Sequence, residues 1–154
     1  MIVRWLSPHF TLAELTRTST GLDNTCPPAL IPKLELLCVH ILEPVREHFG
    51  RPVRVNSGYR SPKVNLAVGS KPSSQHAKAE AVDFEVPGVR NLVVAQFVRD
   101  ELDFDQLIGE AFRANDPAAG WVHASYKARG NRRSVLTMTL GSHGPVYTKG
   151  LPNG

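Results

Sequence analysis

The sequence predicts an α+β fold, with N-terminal helices packed on a small, mainly antiparallel sheet. Three observations predict it. Apolar residues in the first half recur at helical spacing, with Leu34, Leu37, Cys38, Ile41, Val45 and Phe49 on one face of a run over residues 33–49. Three segments of the last third, 104–112, 121–126 and 134–140, read as strands. Helices first and strands afterwards is the order of an α+β chain. At 154 residues, with 42% hydrophobic and 21% charged side chains, the chain has the composition of an ordinary globular protein. It shows no repeat, low-complexity run or linker, so one domain over 1–154 is expected.

The elements follow in order. Thr11 and Glu14 form a capping box with Phe10 and Leu15 as its hydrophobic staple, which starts a short first helix. A loop with Pro27, Pro28 and Pro32 leads into the 33–49 helix. Gly50 can end that helix, and Pro44 removes a backbone donor inside it, predicting a kink or a break. Residues 52–56 alternate as a short strand. Ser61 and Pro62 offer an N-cap and a first-turn proline for a helix through Val68, stopped by Gly69. A strand over 79–86 and a helix over 91–102 precede the later strands. Cys26 and Cys38 make no disulfide framework and no CxxC pair, and Cys38 reads as a buried thiol.

Charge is uneven. Residues 1–50 carry Arg4, Arg17, Lys33 and Arg46 against five acids, whereas no acid follows Asp116 and Lys127, Arg129, Arg132, Arg133 and Lys149 do. This basic C-terminal segment, from about residue 127, suits an anionic partner, whether nucleic acid, lipid head groups or cell-wall polymers; a solvated basic surface is the plain alternative. No nucleic-acid-binding motif accompanies it. No apolar run reaches the roughly 20 residues of a transmembrane helix, and the N-terminus lacks the features of a secretory signal. Synthesis in the cytoplasm and a monomeric state are expected.

Chemistry points to His76, Asp83 and His123. His76 sits in the loop Ser73-Ser74-Gln75-His76, just before a strand that carries Asp83 among Ala81, Val82 and Phe84. A carboxylate in such company is poorly solvated unless a cation meets it. His123 lies on a later strand with Trp121 and Ser125 on its face. Two imidazoles and one carboxylate make an open zinc site, and zinc there acidifies water and polarises a scissile carbonyl. By spacing alone, a packed or hydrogen-bonded strand histidine is the commoner outcome.

The surrounding words are more specific. Ser-Gly-Tyr-Arg at 57–60 and its continuation to Gly69, Ser-Gln-His at 74–76 leading to Ala81 and Asp83, and Trp-Val-His at 121–123 resemble the zinc peptidases of the M15 family. The resemblance spans about residues 8–140 and is closest to the compact branch related to D-alanyl-D-alanine carboxypeptidases and phage endolysins. It implies the hedgehog/D-Ala-D-Ala peptidase-like fold, with zinc held by His76, Asp83 and His123. It implies that Arg60 binds the substrate carbonyl or developing oxyanion; a structural ion pair with a core carboxylate is the alternative. Ser74 and Gln75 would shape the His76 loop and touch substrate. Ser125 would do the same or be a plain strand serine.

Two positions depart from the family pattern. The glycine before the Asp83 strand is Ala79, strained if its φ is positive. The acid that many relatives carry three residues before the second histidine is Gly120. Hydrolysis needs a proton carrier, and Glu110 is the best placed, because its strand should pair with 121–126 across the 113–120 turn. Asp105 and Asp116 are the fallbacks. The expected activity is a zinc-dependent peptidoglycan peptidase, most simply an endolysin that reaches the wall after membrane lysis. A bacterial D,D-carboxypeptidase or dipeptidase acting on wall precursors, and a non-catalytic zinc-stabilised wall-binding module, are the competing readings.

Overall fold

The computed structural model describes residues 2–113 and 115–153, and its architecture is the expected α+β one. A short hairpin, β1 (Trp5–Ser7) and β2 (Phe10–Thr11), runs into α1 (Leu12–Leu15). The helix starts at the capping box: the Glu14 N–H donates to Thr11 Oγ1 at 3.3 Å, and the Thr11 N–H donates to the Glu14 carboxylate at 2.8 Å. Phe10 and Leu15, the staple pair, are both buried.

After a 3-10 turn (Pro28–Leu30) the long helix forms in three parts: α2 (Ile31–Leu37), a π-helical turn (Cys38–Leu42) and α3 (Glu43–Phe49). The break expected from Pro44 is this turn. The Glu43 N–H reaches back to the Cys38 carbonyl, and Pro44, next in line, sits in the first turn of α3 where no donor is missed. Gly50 closes the helix at φ +62° with its N–H on the Arg46 carbonyl. Cys38 is fully buried, and burial pushes its thiol up to about 12.

Then follow β3 (Arg54–Ser57), α4 (Pro62–Ala67), β4 (Ala81–Glu85), α5 (Asn91–Glu101), β5 (Gln106–Glu110), β6 (Trp121–Ser125), β7 (Ser134–Gly141) and β8 (Gly144–Lys149). The six-stranded sheet has the order β3-β4-β6-β5-β7-β8. Its neighbours are antiparallel except β5 and β7, which run parallel. The sequence pattern predicts neither β8 nor that parallel pair.

One sheet face is the core. Val82, Phe84, Leu107, Val122 and Ala124 pack with Leu34, Leu37, Ile41 and Val45 of the long helix and with Val94 and Val98 of α5. Burying each of the larger side chains stabilises by about 1.5–3 kcal/mol. Because strand side chains alternate, Asp83, Ile108, Glu110 and His123 fall on the opposite, helix-free face.

Two of the basic C-terminal residues make contacts within the fold. Arg132 binds Asp105 through Nε and Nη2 at 3.1 and 2.8 Å. Arg133 donates to the carbonyls of Leu102 and Arg99 at the end of α5, with its guanidinium over the Phe104 ring. These two cations staple the fold. No described helix is long and apolar enough to cross a membrane.

Candidate metal centre and active site

The site is built where β3 ends. Gly58 has to be glycine: a Cβ there would strike the Leu15 carbonyl oxygen, which itself accepts the Tyr59 N–H at 2.8 Å. Asn24 clamps the next residues, its Nδ2 donating to the Tyr59 carbonyl and its Oδ1 accepting the Ser61 N–H. The loop so fixed aims the Gly58 carbonyl at His76 Nδ1, 2.8 Å away. A carbonyl only accepts, so Nδ1 carries a proton, and Nε2 is the nitrogen turned toward Asp83 and the one that can ligate a metal.

Asp83 and His123 stand directly opposite in the β4–β6 register, which places both side chains together on one face. His123 Nδ1 lies 2.9 Å from Asp83 Oδ1, and His76 Nε2 lies 3.3 Å from Asp83 Oδ2. All three residues are buried, and one ligand atom from each lies within 4.8 Å of the others. Ligands of a tetrahedral metal at about 2.0–2.2 Å stand roughly 3.3–3.6 Å apart. The donor set, its spacing and the Gly58 contact on the far nitrogen of His76 therefore fit a divalent ion. Burial works to raise the Asp83 carboxyl, but the two imidazoles outweigh it and hold the pKa far below the usual carboxylate range. For His123, burial opposes the charged form, yet Asp83 prevails and the pKa is raised.

Arg60 joins this cluster. Its Nε donates to Ser57 Oγ at 3.0 Å and one terminal nitrogen to Asp83 Oδ2 at 3.4 Å. The ion pair with a core carboxylate thus exists, while the guanidinium still lines the open cleft. Ser74 Oγ accepts the His76 N–H at 3.2 Å within the loop that carries His76. Gln75 Nε2 donates to Asp105 at 3.1 Å. Ser125 departs from the substrate-binding expectation. It is fully buried, and its hydroxyl accepts the Gln106 N–H at 2.9 Å, tying β6 to the start of β5 away from the cleft wall.

The model of the family described as peptidase M15 matches residues 8–123. The chain belongs to this family. No curated protein matches it. M15 peptidases depend on a metal, and the His76–Asp83–His123 cluster is where this M15 chain can hold one.

The cleft over the cluster has a volume of about 940 Å³. Along β6 it runs from Lys127 and Lys78, past the cluster, to Glu110, Trp121 and Tyr147. Glu110 pairs with Trp121, one side-chain step from the Ile108–His123 pair, so it faces the cleft beside the metal centre. Burial pushes its carboxyl up and the nearby Asp83 charge adds to this, against His123, the Trp121 indole and Arg60. Among the described residues the buried indole N–H has no partner within hydrogen-bond geometry, so it acts on Glu110 only as a nearby dipole. The fallback acids are otherwise engaged or distant. Asp105 is held by Arg132 and Gln75, and Asp116 lies outside the cleft, in the 113–120 turn. Glu80, a further acid on the wall, pairs with Lys33 at 3.3 Å.

Gly120 now has a physical reason. Its φ is +75°, and a Cβ would strike the Glu110 carbonyl oxygen and the Ala111 backbone. No side chain fits at 120 while the backbone of residues 110 and 111 lies against it. Gly120→Ala is expected to lose at least about 2–3 kcal/mol, from left-handed backbone strain of roughly 1–2 kcal/mol plus the clash. A thermal melt should show the midpoint falling by about 4–12 °C. Ala79, at the family's glycine position, has φ +59°, so the anticipated strain is present just before β4. Nothing in the sequence marks Tyr147 as a cleft residue, because the exposed strand β8 that carries it writes no buried alternation.

Proposed function

We propose that this M15 chain is a zinc-dependent peptidoglycan endopeptidase acting as an endolysin. The observation that carries the reading is the metal cluster set midway along an open cleft, with Glu110 on the adjacent strand. Two imidazoles and a carboxylate suit zinc above harder cations, and zinc held there supplies Lewis acidity that acidifies water and polarises a peptide carbonyl.

The chain's own residues then divide the work. Hydrolysis adds OH to the acyl carbon and H to the departing nitrogen. Glu110 takes the proton from the attacking water and returns it to the leaving amine, and its raised pKa suits both transfers. Arg60 keeps donors free for the substrate carbonyl as negative charge develops on it. The Gly58 carbonyl holds His76 in the required tautomer. Cleft walls extend on both sides of the cluster, as a chain-cleaving enzyme needs, whereas a carboxypeptidase needs a closed end. Lys127, Arg129 and Lys149 would add attraction to anionic wall polymers.

The test is mass spectrometry of soluble products from purified peptidoglycan incubated with zinc-loaded protein, beside an EDTA-treated control. Zinc-dependent release of peptides is expected, and their masses identify the bond. Stoichiometric zinc with no product would favour the wall-binding module, and release of single D-alanine alone would favour the carboxypeptidase.

A further inference from the structure

We infer that Tyr147, on the C-terminal hairpin, is a substrate-binding residue whose ring packs against the half of the peptide that leaves as the amine. The inference rests on the endopeptidase reading above. Trp121, Glu110, Met138 and Tyr147 stand in one row across β6, β5, β7 and β8, each paired in register with the next. Paired residues in a sheet present their side chains to the same face, so Tyr147 shares the face of Glu110. At about 4.8 Å per strand the two Cα atoms are roughly 10 Å apart, a gap that a tyrosine and a glutamate side chain together largely span.

Tyr147 lines the cleft wall with Glu110 and Trp121, yet it is 53% exposed. Its hydroxyl also senses the acid: burial raises the phenol and the Glu110 charge raises it further. A half-exposed aromatic on an edge strand, facing a cleft, offers a flat apolar surface with a polar tip at low entropic cost. Glu110 hands its proton to the departing nitrogen, so the substrate beyond Glu110, over Tyr147, is the leaving half. Residues 134–149 lie outside the 8–123 segment that matches the family.

Two readouts test this. In a Trp5→Phe background Trp121 is the only tryptophan, and its emission follows titration of a purified cross-linked muropeptide dimer into Glu110→Gln protein. Adding Tyr147→Ala should weaken binding about tenfold, and Tyr147→Phe should recover it to within about threefold. In zinc-loaded protein with Glu110 intact, Tyr147→Ala should raise KM by a similar factor with kcat within about twofold. Unchanged binding in the Glu110→Gln/Tyr147→Ala protein would overturn the inference, as would a fall in kcat at constant KM. Circular dichroism and zinc content confirm that the variants fold. If protein with Glu110 intact cleaves nothing, the endopeptidase reading fails by itself, while the titration still decides whether Tyr147 binds peptide.

Discussion

Glu110→Gln is expected to keep the metal, lose about 10²- to 10⁴-fold of turnover and become more stable. The three outcomes have separate causes. The cluster atoms come from His76, Asp83 and His123, so metal content by elemental analysis should match the parent protein. Glutamine has the shape of glutamate but no proton to exchange, so the transfer from water to leaving amine loses its carrier. Stability moves the other way because burial and the Asp83 charge both disfavour the ionised carboxyl. A carboxyl whose folded pKa lies above its unfolded value of 4.5 destabilises the fold once it ionises. In metal-free protein, the variant's advantage should be absent below pH 4.5 and should grow as pH rises through the folded pKa. Thermal melts against pH read this directly. Wild-type turnover in the variant would move the proton to another group, and loss of metal would make Glu110 a ligand.

How much of this was legible in the sequence depended on range. The capping box at Thr11 and Glu14, the stop at Gly50 and the Ser61–Pro62 helix start are local devices, readable within a few residues. Pro44 was legible as a perturbation but not as its outcome, because a π-turn depends on whether the flanking helix faces stay packed. The cluster was legible because its residues sit in long family words. The Glu110 placement followed from one antiparallel pairing across a turn. The parallel β5–β7 pair was not legible, since it joins strands through a long connection and leaves no local period. Strand β8 was hidden for a different reason. Pro145, Val146, Tyr147 and Thr148 are all exposed, so no buried face writes an alternation into them. Ser125 shows the converse error: it shares the face of His123, but β5 starts beside it and Gln106 takes its hydroxyl.

Asp83→Asn is the substitution expected to separate metal binding from folding. Asp83 is the hub of the cluster, meeting His76, His123 and Arg60 at 3.3, 2.9 and 3.4 Å. The amide keeps the volume and one acceptor but removes the charge that attracts a cation and that holds Arg60. Metal affinity should fall by at least about 100-fold, the size of effect that even the partners of metal ligands carry. The readout is the metal's own effect on the melt. A ligand at a thousand times its Kd stabilises by about 4 kcal/mol, roughly 8–16 °C for a chain of this length. That shift should be large in the parent protein and nearly absent in Asp83→Asn. The shift should also depend on pH, with a definite sign. Asp83 raises the His123 pKa above the ordinary histidine value of 6.5, so the metal-free fold gains stability from protonated His123 below that value and loses it as pH rises through the folded pKa. Metal competes for the same nitrogen. The metal-induced rise in Tm should therefore increase across this window in the parent protein and stay flat in the variant. A pH-independent rise in the parent protein would place the metal off His123.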